Sequence, residues 1–108
     1  MKRAVWISYD LGLRGDYEAL YRWLDDHHAK ECVGNLAFLN YECDGDLIEL
    51  LQDDLKKAIE VNKMTRIYVA WRDAPTKKVK GRFLFGGRRV PPWSGYGSEG
   101  ESGESDES

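Results

Sequence analysis

One carboxylate occupies a position from which chemistry is readily built. The run Ala4-Val5-Trp6-Ile7-Ser8-Tyr9 has the length and composition of a buried strand, and Asp10 ends it before Gly12, Arg14 and Gly15 open a loop. A strand end aims a side chain rigidly while the loop beyond leaves room beside it, so Asp10 is a candidate ligand or catalytic group. The same acid could instead cap the loop Leu11 to Gly15 or pair with Arg14. A second set is basic: Lys77, Lys78, Lys80, Arg82, Arg88 and Arg89 are interleaved with Phe83 and Phe85. Such a set can contact nucleic-acid phosphates, and Gly86-Gly87 would let backbone amides approach an oxyanion. The alternative is an edge strand kept soluble by its lysines, with Phe83 and Phe85 in the core.

Other reactive residue types fall in weaker patterns. Asp44-Gly45-Asp46 has the D-x-D form of a cation loop but lacks further oxygen ligands at calcium-loop spacing, and helix capping accounts for it better. His27, His28 and Cys32 are close in sequence, yet adjacent histidines do not share a helix face and one cysteine does not complete a four-ligand zinc set. No serine or cysteine lies in a nucleophile motif with a base at recognisable spacing, which removes support for covalent catalysis.

The elements that must position these residues follow from hydrophobic period. Asp16 is placed to cap a helix whose stripe is Tyr17, Leu20, Tyr21 and Leu24, ending near His28. Glu31 to Val33 and Leu36 to Glu42 read as strands joined at Gly34-Asn35, which would set Val33 against Leu36 and Cys32 against Ala37. Cys43 then lies on the order of 20 Å from Cys32, too far for a disulfide and in keeping with a reducing compartment. Asp46 with Glu49 has the form of a capping box, and Leu47, Leu50, Leu51, Leu55, Ala58 and Ile59 give the second helix its apolar stripe. Arg66 to Trp71 returns to period two, Asp73-Ala74-Pro75-Thr76 is turn chemistry, and Val79 to Phe85 completes a hairpin. Trp93, after Pro91-Pro92, is expected to dock the chain end onto the domain.

The order is therefore β-α-β-β-α-β plus one more strand, an α+β chain of the ferredoxin-like split βαβ type with an extra C-terminal edge strand. Were Glu31 to Glu42 one long strand, it would become β-α-β-α-β-β. Two helices cover one sheet face. Trp6, Phe38, Tyr68 and Phe83 fall on the other, and so many large side chains call for a second copy or another protein over part of it.

The 108 residues suit one domain, residues 1–93, followed by a Ser/Gly/Glu-rich segment, residues 94–108, which is expected to be a disordered acidic tail. Charge is segregated: net −5 over residues 1–64, +7 over 65–93 and −5 over 94–108, giving −3 in all. The near-neutral total thus conceals a basic zone beside an acidic one, and the tail could reach back to compete with phosphate for the same cations. No run approaches a membrane span and Lys2-Arg3 precede only a strand-length apolar stretch, so a soluble, cytoplasmic protein without membrane contact is expected.

Val5-Trp6-Ile7-Ser8-Tyr9-Asp10, the helix from Asp16, Phe38-Leu39-Asn40-Tyr41-Glu42, the Leu-rich second helix and Thr65-Arg66-Ile67-Tyr68-Val69 together resemble the small CRISPR-associated adaptation nucleases and the related virulence-associated protein D toxins. The resemblance covers Ala4 to Val69 as a pattern of elements and Tyr9-Asp10 as a motif; the basic hairpin and acidic tail depart from it. It implies a ferredoxin-fold homodimer in which Asp10 is the metal-ligand and catalytic candidate. Two symmetry-related Asp10 carboxylates could then hold Mg²⁺ to polarise a phosphodiester and its attacking water. The function expected is that of a nucleic-acid-associated homodimer with metal-dependent endonuclease activity. The alternative is a non-catalytic module whose sheet face and basic hairpin bind a protein partner or build an assembly.

Overall fold

The computed structural model describes residues 1–97, and the acidic stretch 98–108 lies outside them. Along the chain the elements are β1 (Lys2–Asp10), α1 (Tyr17–Asp26), β2 (Lys30–Val33), β3 (Leu36–Glu42), α2 (Leu47–Ala58), β4 (Arg66–Arg72) and β5 (Val79–Phe85). The five strands form one sheet in the order β2-β3-β1-β4-β5, each neighbour antiparallel to the next. This is an α+β arrangement compatible with a ferredoxin-like sandwich bearing an added edge strand. No helix among the described residues is long and apolar enough to cross a membrane.

Period two in the strands and period 3.6 in the helices meet in a single core. Val5, Ile7 and Tyr9 of β1, Ala37, Leu39 and Tyr41 of β3, and Ile67 and Val69 of β4 turn one face of the sheet toward Leu20, Trp23 and Leu24 of α1 and Leu47, Leu51 and Leu55 of α2. Full burial of a side chain such as Ile7, Leu20 or Leu51 stabilises by roughly 1.5–3 kcal/mol, so this face fixes which side of each strand looks inward. Both helices start as their sequences suggest. Asp16 Oδ1 accepts from the Ala19 N–H (3.4 Å) and Asp46 Oδ1 from the Glu49 N–H (3.0 Å). Helix α1 ends in a Schellman arrangement: the His28 N–H donates to the Asp25 carbonyl, the Ala29 N–H to that of Leu24, and His28 takes φ 56°.

Four local expectations are corrected. The inward stripe of α1 includes Trp23, while Tyr21 is half exposed, because the Trp23 indole N–H finds Asp54 Oδ2 at 3.1 Å and the ring can therefore be buried. In β2, Glu31 rather than Cys32 stands opposite Ala37, since a register shift between Glu31 and Val33 pushes Cys32 out of the ladder. A second shift, at Ile67/Tyr68, separates the two phenylalanines of β5: Phe83 pairs with Tyr68 on the uncovered face, whereas Leu84 and Phe85 turn toward the helices. The Leu84 carbonyl at this irregularity accepts from Gln52 Nε2 at 2.7 Å, which ties α2 to the edge strand. Finally, Trp93 is 71% exposed and does not join the core; it lines a shallow groove with Arg66, Phe83 and Arg88 instead. Residues Pro91 to Tyr96 instead form two successive turns, with the Ser94 N–H on the Pro91 carbonyl and the Tyr96 N–H on that of Trp93.

Both cysteines are free, Cys43 buried and Cys32 exposed.

Candidate nucleic-acid interface

The sheet face away from the helices carries the residues with binding chemistry. Strand alternation puts Trp6 of β1 directly across from Phe38 of β3, with ring centroids 5.1 Å apart and planes tilted by 53°. Tyr68 of β4 stands across from Phe83 of β5, centroids 5.0 Å apart and nearly perpendicular. Because Ser8, two residues beyond Trp6, is the β1 partner of Tyr68, the two aromatic pairs lie on a diagonal across the sheet. Trp6 is 37% exposed and the other three rings are half-buried, so each keeps part of its surface open to solvent.

Two arginines frame one end of that diagonal. The guanidinium carbons of Arg66 and Arg88 each lie 5.9 Å from the Phe83 ring centroid. Arg66 is the first residue of β4, and its Nε donates to the Gly87 carbonyl at 3.1 Å. Gly86 makes this return of the chain feasible: it takes φ 75°, and a Cβ there would lie 2.7 Å from the Thr65 carbonyl oxygen. The sharp reversal is what delivers Arg88 to the sheet face instead of letting β5 run on into solvent. A depression of about 490 Å³ at this end is lined by Ser8, Asp10, Asn35, Arg66, Tyr68, Phe83 and Arg88, with Tyr9 at its wall. A neighbouring groove of about 440 Å³ shares Arg66, Phe83 and Arg88 and adds Arg89 and the segment Val90 to Trp93.

Asp10 sits on the rim. Its Oδ1 accepts from the Gly12 N–H at 3.1 Å, holding the loop, and its Oδ2 lies 3.7 Å from Arg66 Nη1. Its basic partner is thus Arg66 rather than Arg14, because β1 and β4 are antiparallel neighbours and Asp10 falls opposite Arg66 in the register. Among the described residues, no three His, Cys, Asp or Glu side chains converge as a metal ligand set, and Asp10 is the one carboxylate lining the depression. The other oxygen-bearing side chains lining it, Ser8, Tyr9, Asn35 and Tyr68, are neutral. Tyr9 points the other way into the core, where its hydroxyl donates to the Gly34 carbonyl (3.3 Å); burial, then the neighbouring Tyr21, raises its pKa.

The hairpin cations do not act as one patch. Arg88 and Arg89 reach the uncovered face. Arg82 stands opposite Val69 and lines a hollow with Asp46, Glu49 and Gln52 on the helix side. Lys80 stands opposite Trp71 and lies 3.6 Å from Asp73 Oδ2, and Lys77 and Lys78 form the hairpin turn, their backbone bonded to Asp73. Asp73 itself is held below the usual carboxylate range, chiefly by the Thr76 hydroxyl. Strand alternation keeps Lys80 and Arg82 together on the helix side, away from the face that carries Tyr68 and Phe83, whereas Arg66 escaped a reading of the hairpin because its partners lie across the sheet.

The histidines and cysteines are likewise dispersed. His27 Nδ1 is 2.8 Å from the Trp23 carbonyl and its ring stacks with Trp23 and Tyr41, beside Asp54 at 3.7 Å. Asp54 Oδ2 also faces the Tyr41 hydroxyl (3.2 Å); burial first, and this carboxylate second, push the Tyr41 pKa up to about 12. This network ties α1, α2 and β3 together, with two hydrogen-bond donors satisfied by one carboxylate. Asp44 and Asp46 serve locally, Asp46 as the α2 cap and Asp44 beside the Met1 amino group at 3.1 Å.

Comparison of the chain with protein-family models, curated proteins and solved structures gave no match. The assignment of function therefore rests on the chemistry of this face.

Proposed function

We propose that the chain is a nucleic-acid-binding module of ferredoxin-like architecture whose uncovered sheet face takes a single strand. The observation that carries this reading is the diagonal of Trp6–Phe38 and Tyr68–Phe83 ending between Arg66 and Arg88. Aromatic rings on an open sheet offer stacking surfaces that any base can use, worth about 1–3 kcal/mol per base, while arginines hold the phosphates that accompany it. Duplex bases are already stacked on each other and hide their faces, so a flat aromatic platform favours unpaired nucleotides. The likeness in element pattern to the small CRISPR-associated nucleases and virulence-associated protein D toxins agrees with an affinity for nucleic acid.

Mg²⁺-dependent cleavage by a homodimer is the second reading, favoured by the place of Asp10 on the rim of the same depression. It requires a partner copy to bring the missing carboxylate, with the two Asp10 side chains turned toward one ion. A dimer that stacked the two faces would also cover the four aromatics and remove the platform.

Fluorescence anisotropy with a labelled oligo(dT) or oligo(U) and with a duplex of equal length tests the first reading. The expected result is tighter binding of the single strands, lost by roughly 5- to 150-fold in Trp6→Ala or Phe83→Ala, the equivalent of about 1–3 kcal/mol. Equal binding of duplex and single strand, or indifference to both substitutions, overturns it. Sedimentation velocity and a cleavage assay with Mg²⁺ or EDTA decide the second.

A further inference from the structure

We propose that residues 98–108 act as a built-in acidic competitor, occupying the Arg66–Arg88–Arg89 end of the sheet face that the single strand would use. The inference deepens the nucleic-acid reading above, and the contact itself can be measured without any nucleic acid.

Where the described chain ends is the first ground. The groove between Phe83 and Trp93 is walled by Arg66, Arg88 and Arg89, so the C-terminal segment leaves the domain along the arginines themselves. The two turns between Pro91 and Tyr96, with Gly95 at φ 86°, reverse the backbone rather than carrying it straight out. Eleven residues follow Gly97. At about 3.3 Å per residue an extended segment of that length spans up to roughly 36 Å, ample to cross back over an adjoining groove.

Charge supplies the second ground. Residues 1–97 carry net +2, from 16 basic and 14 acidic side chains, whereas residues 98–108 carry −5 and no base. At the groove, Asp10 offsets Arg66, which leaves Arg88 and Arg89 as the surplus. Carboxylates are good partners for the planar guanidinium fork, and Glu99, Glu101, Glu104, Asp106 and Glu107 repeat them closely enough for several to be presented in turn. Tethering keeps their effective concentration in the range of millimolar, so individually weak contacts suffice.

Composition says what the segment cannot do. It has no aromatic residue, so it can replace phosphates but not bases. It therefore competes for the arginine end and leaves Trp6 and Phe38 to the ligand. The competition is electrostatic and fades as salt rises.

The test compares the full chain with a full-length variant in which the five tail acids are changed to the matching amides (Glu→Gln, Asp→Asn). Binding of oligo(dT) is measured by anisotropy at about 50 and about 200 mM salt, and the Arg66, Arg88 and Arg89 side-chain Nε–H signals are recorded by NMR in the absence of nucleic acid. A tail seated for about four-fifths of the time lowers the apparent affinity about five-fold, so the variant is expected to bind about five-fold tighter at low salt, with the gap narrowing at high salt. The arginine signals are expected to shift between the two proteins. Unchanged arginine signals overturn the proposal, even if affinity rises, because repulsion at a distance would then explain the gain. Shifted signals with no oligonucleotide binding by either protein keep the tail contact and refute the nucleic-acid reading instead.

Discussion

Replacing Asp10 by Asn separates binding from cleavage by sign. The amide retains an Oδ1 that can accept from the Gly12 N–H, so the loop after β1 is held, while the charge 3.7 Å from Arg66 disappears. Both side chains are in contact with solvent, which places their interaction near the bulk-water limit, about 1 kcal/mol before salt screening. A phosphate seated on the far side of Arg66 would lie roughly 7 Å from the carboxylate, and its repulsion is worth about 0.3–0.6 kcal/mol over the same range of screening. The gain on removing the charge is therefore about 0.3–1 kcal/mol, the upper end applying if Arg66 must leave Asp10 to reach the phosphate. That corresponds to a roughly two- to five-fold tighter complex in EDTA. One more cation becomes free to release counterions, so the slope of log affinity against log salt should steepen by up to about 0.7. Folding stability should fall by no more than about 1 kcal/mol, the usual worth of an exposed pair. Anisotropy titrations of oligo(dT) across a salt series, in EDTA and in Mg²⁺, read both quantities. Weaker binding by Asp10→Asn in EDTA would refute the placement of the phosphate at Arg66. Loss of Mg²⁺-dependent cleavage would establish the metal role.

Gly86→Ala should cost about 1–3 kcal/mol in denaturant unfolding, from its left-handed backbone and the close Thr65 carbonyl, and should weaken oligonucleotide binding by misplacing Arg88. His28→Gly should raise stability by about 1 kcal/mol at the end of α1 and leave binding unchanged, because His28 holds the left-handed cap position far from the arginines in the fold. Tyr41 sets an alkaline limit: its folded pKa is about 12 against the ordinary 10.0, so the unfolded chain releases its proton first as pH rises. Stability from this group is intact below pH 10 and declines toward pH 12 by up to roughly 3 kcal/mol, a decline that Tyr41→Phe should remove in pH-dependent unfolding. Gly81→Ala should disturb the platform, since a Cβ there meets the Tyr68 ring, and the check is a loss of oligo(dT) affinity with a stable fold by circular dichroism.

The order and kind of the elements, and which residues of β1, β3 and β4 look away from the helices, were legible in the sequence because each depends on short-range periodicity. Val5, Ile7 and Tyr9 alternate with Trp6 and Ser8, and Asp16 and Asp46 mark helix starts through hydrogen bonds made within their own turn. Such signals lie within a few residues of each other. Of the two partners of Asp10, Gly12 is local in this way, but Arg66 is its neighbour only through strand pairing, and no local rule relates residues so far apart. Arg88 reaches Phe83 only because Gly86 reverses the chain, and Phe83 parts from Phe85 only because the ladder slips by one residue opposite Ile67 and Tyr68. Local chemistry along the chain thus determined the elements and the inward faces of β1, β3, β4 and α2. Register, one irregular step in it and one left-handed glycine decided which charges meet the aromatic face, because those depend on contacts between strands that the linear order does not specify.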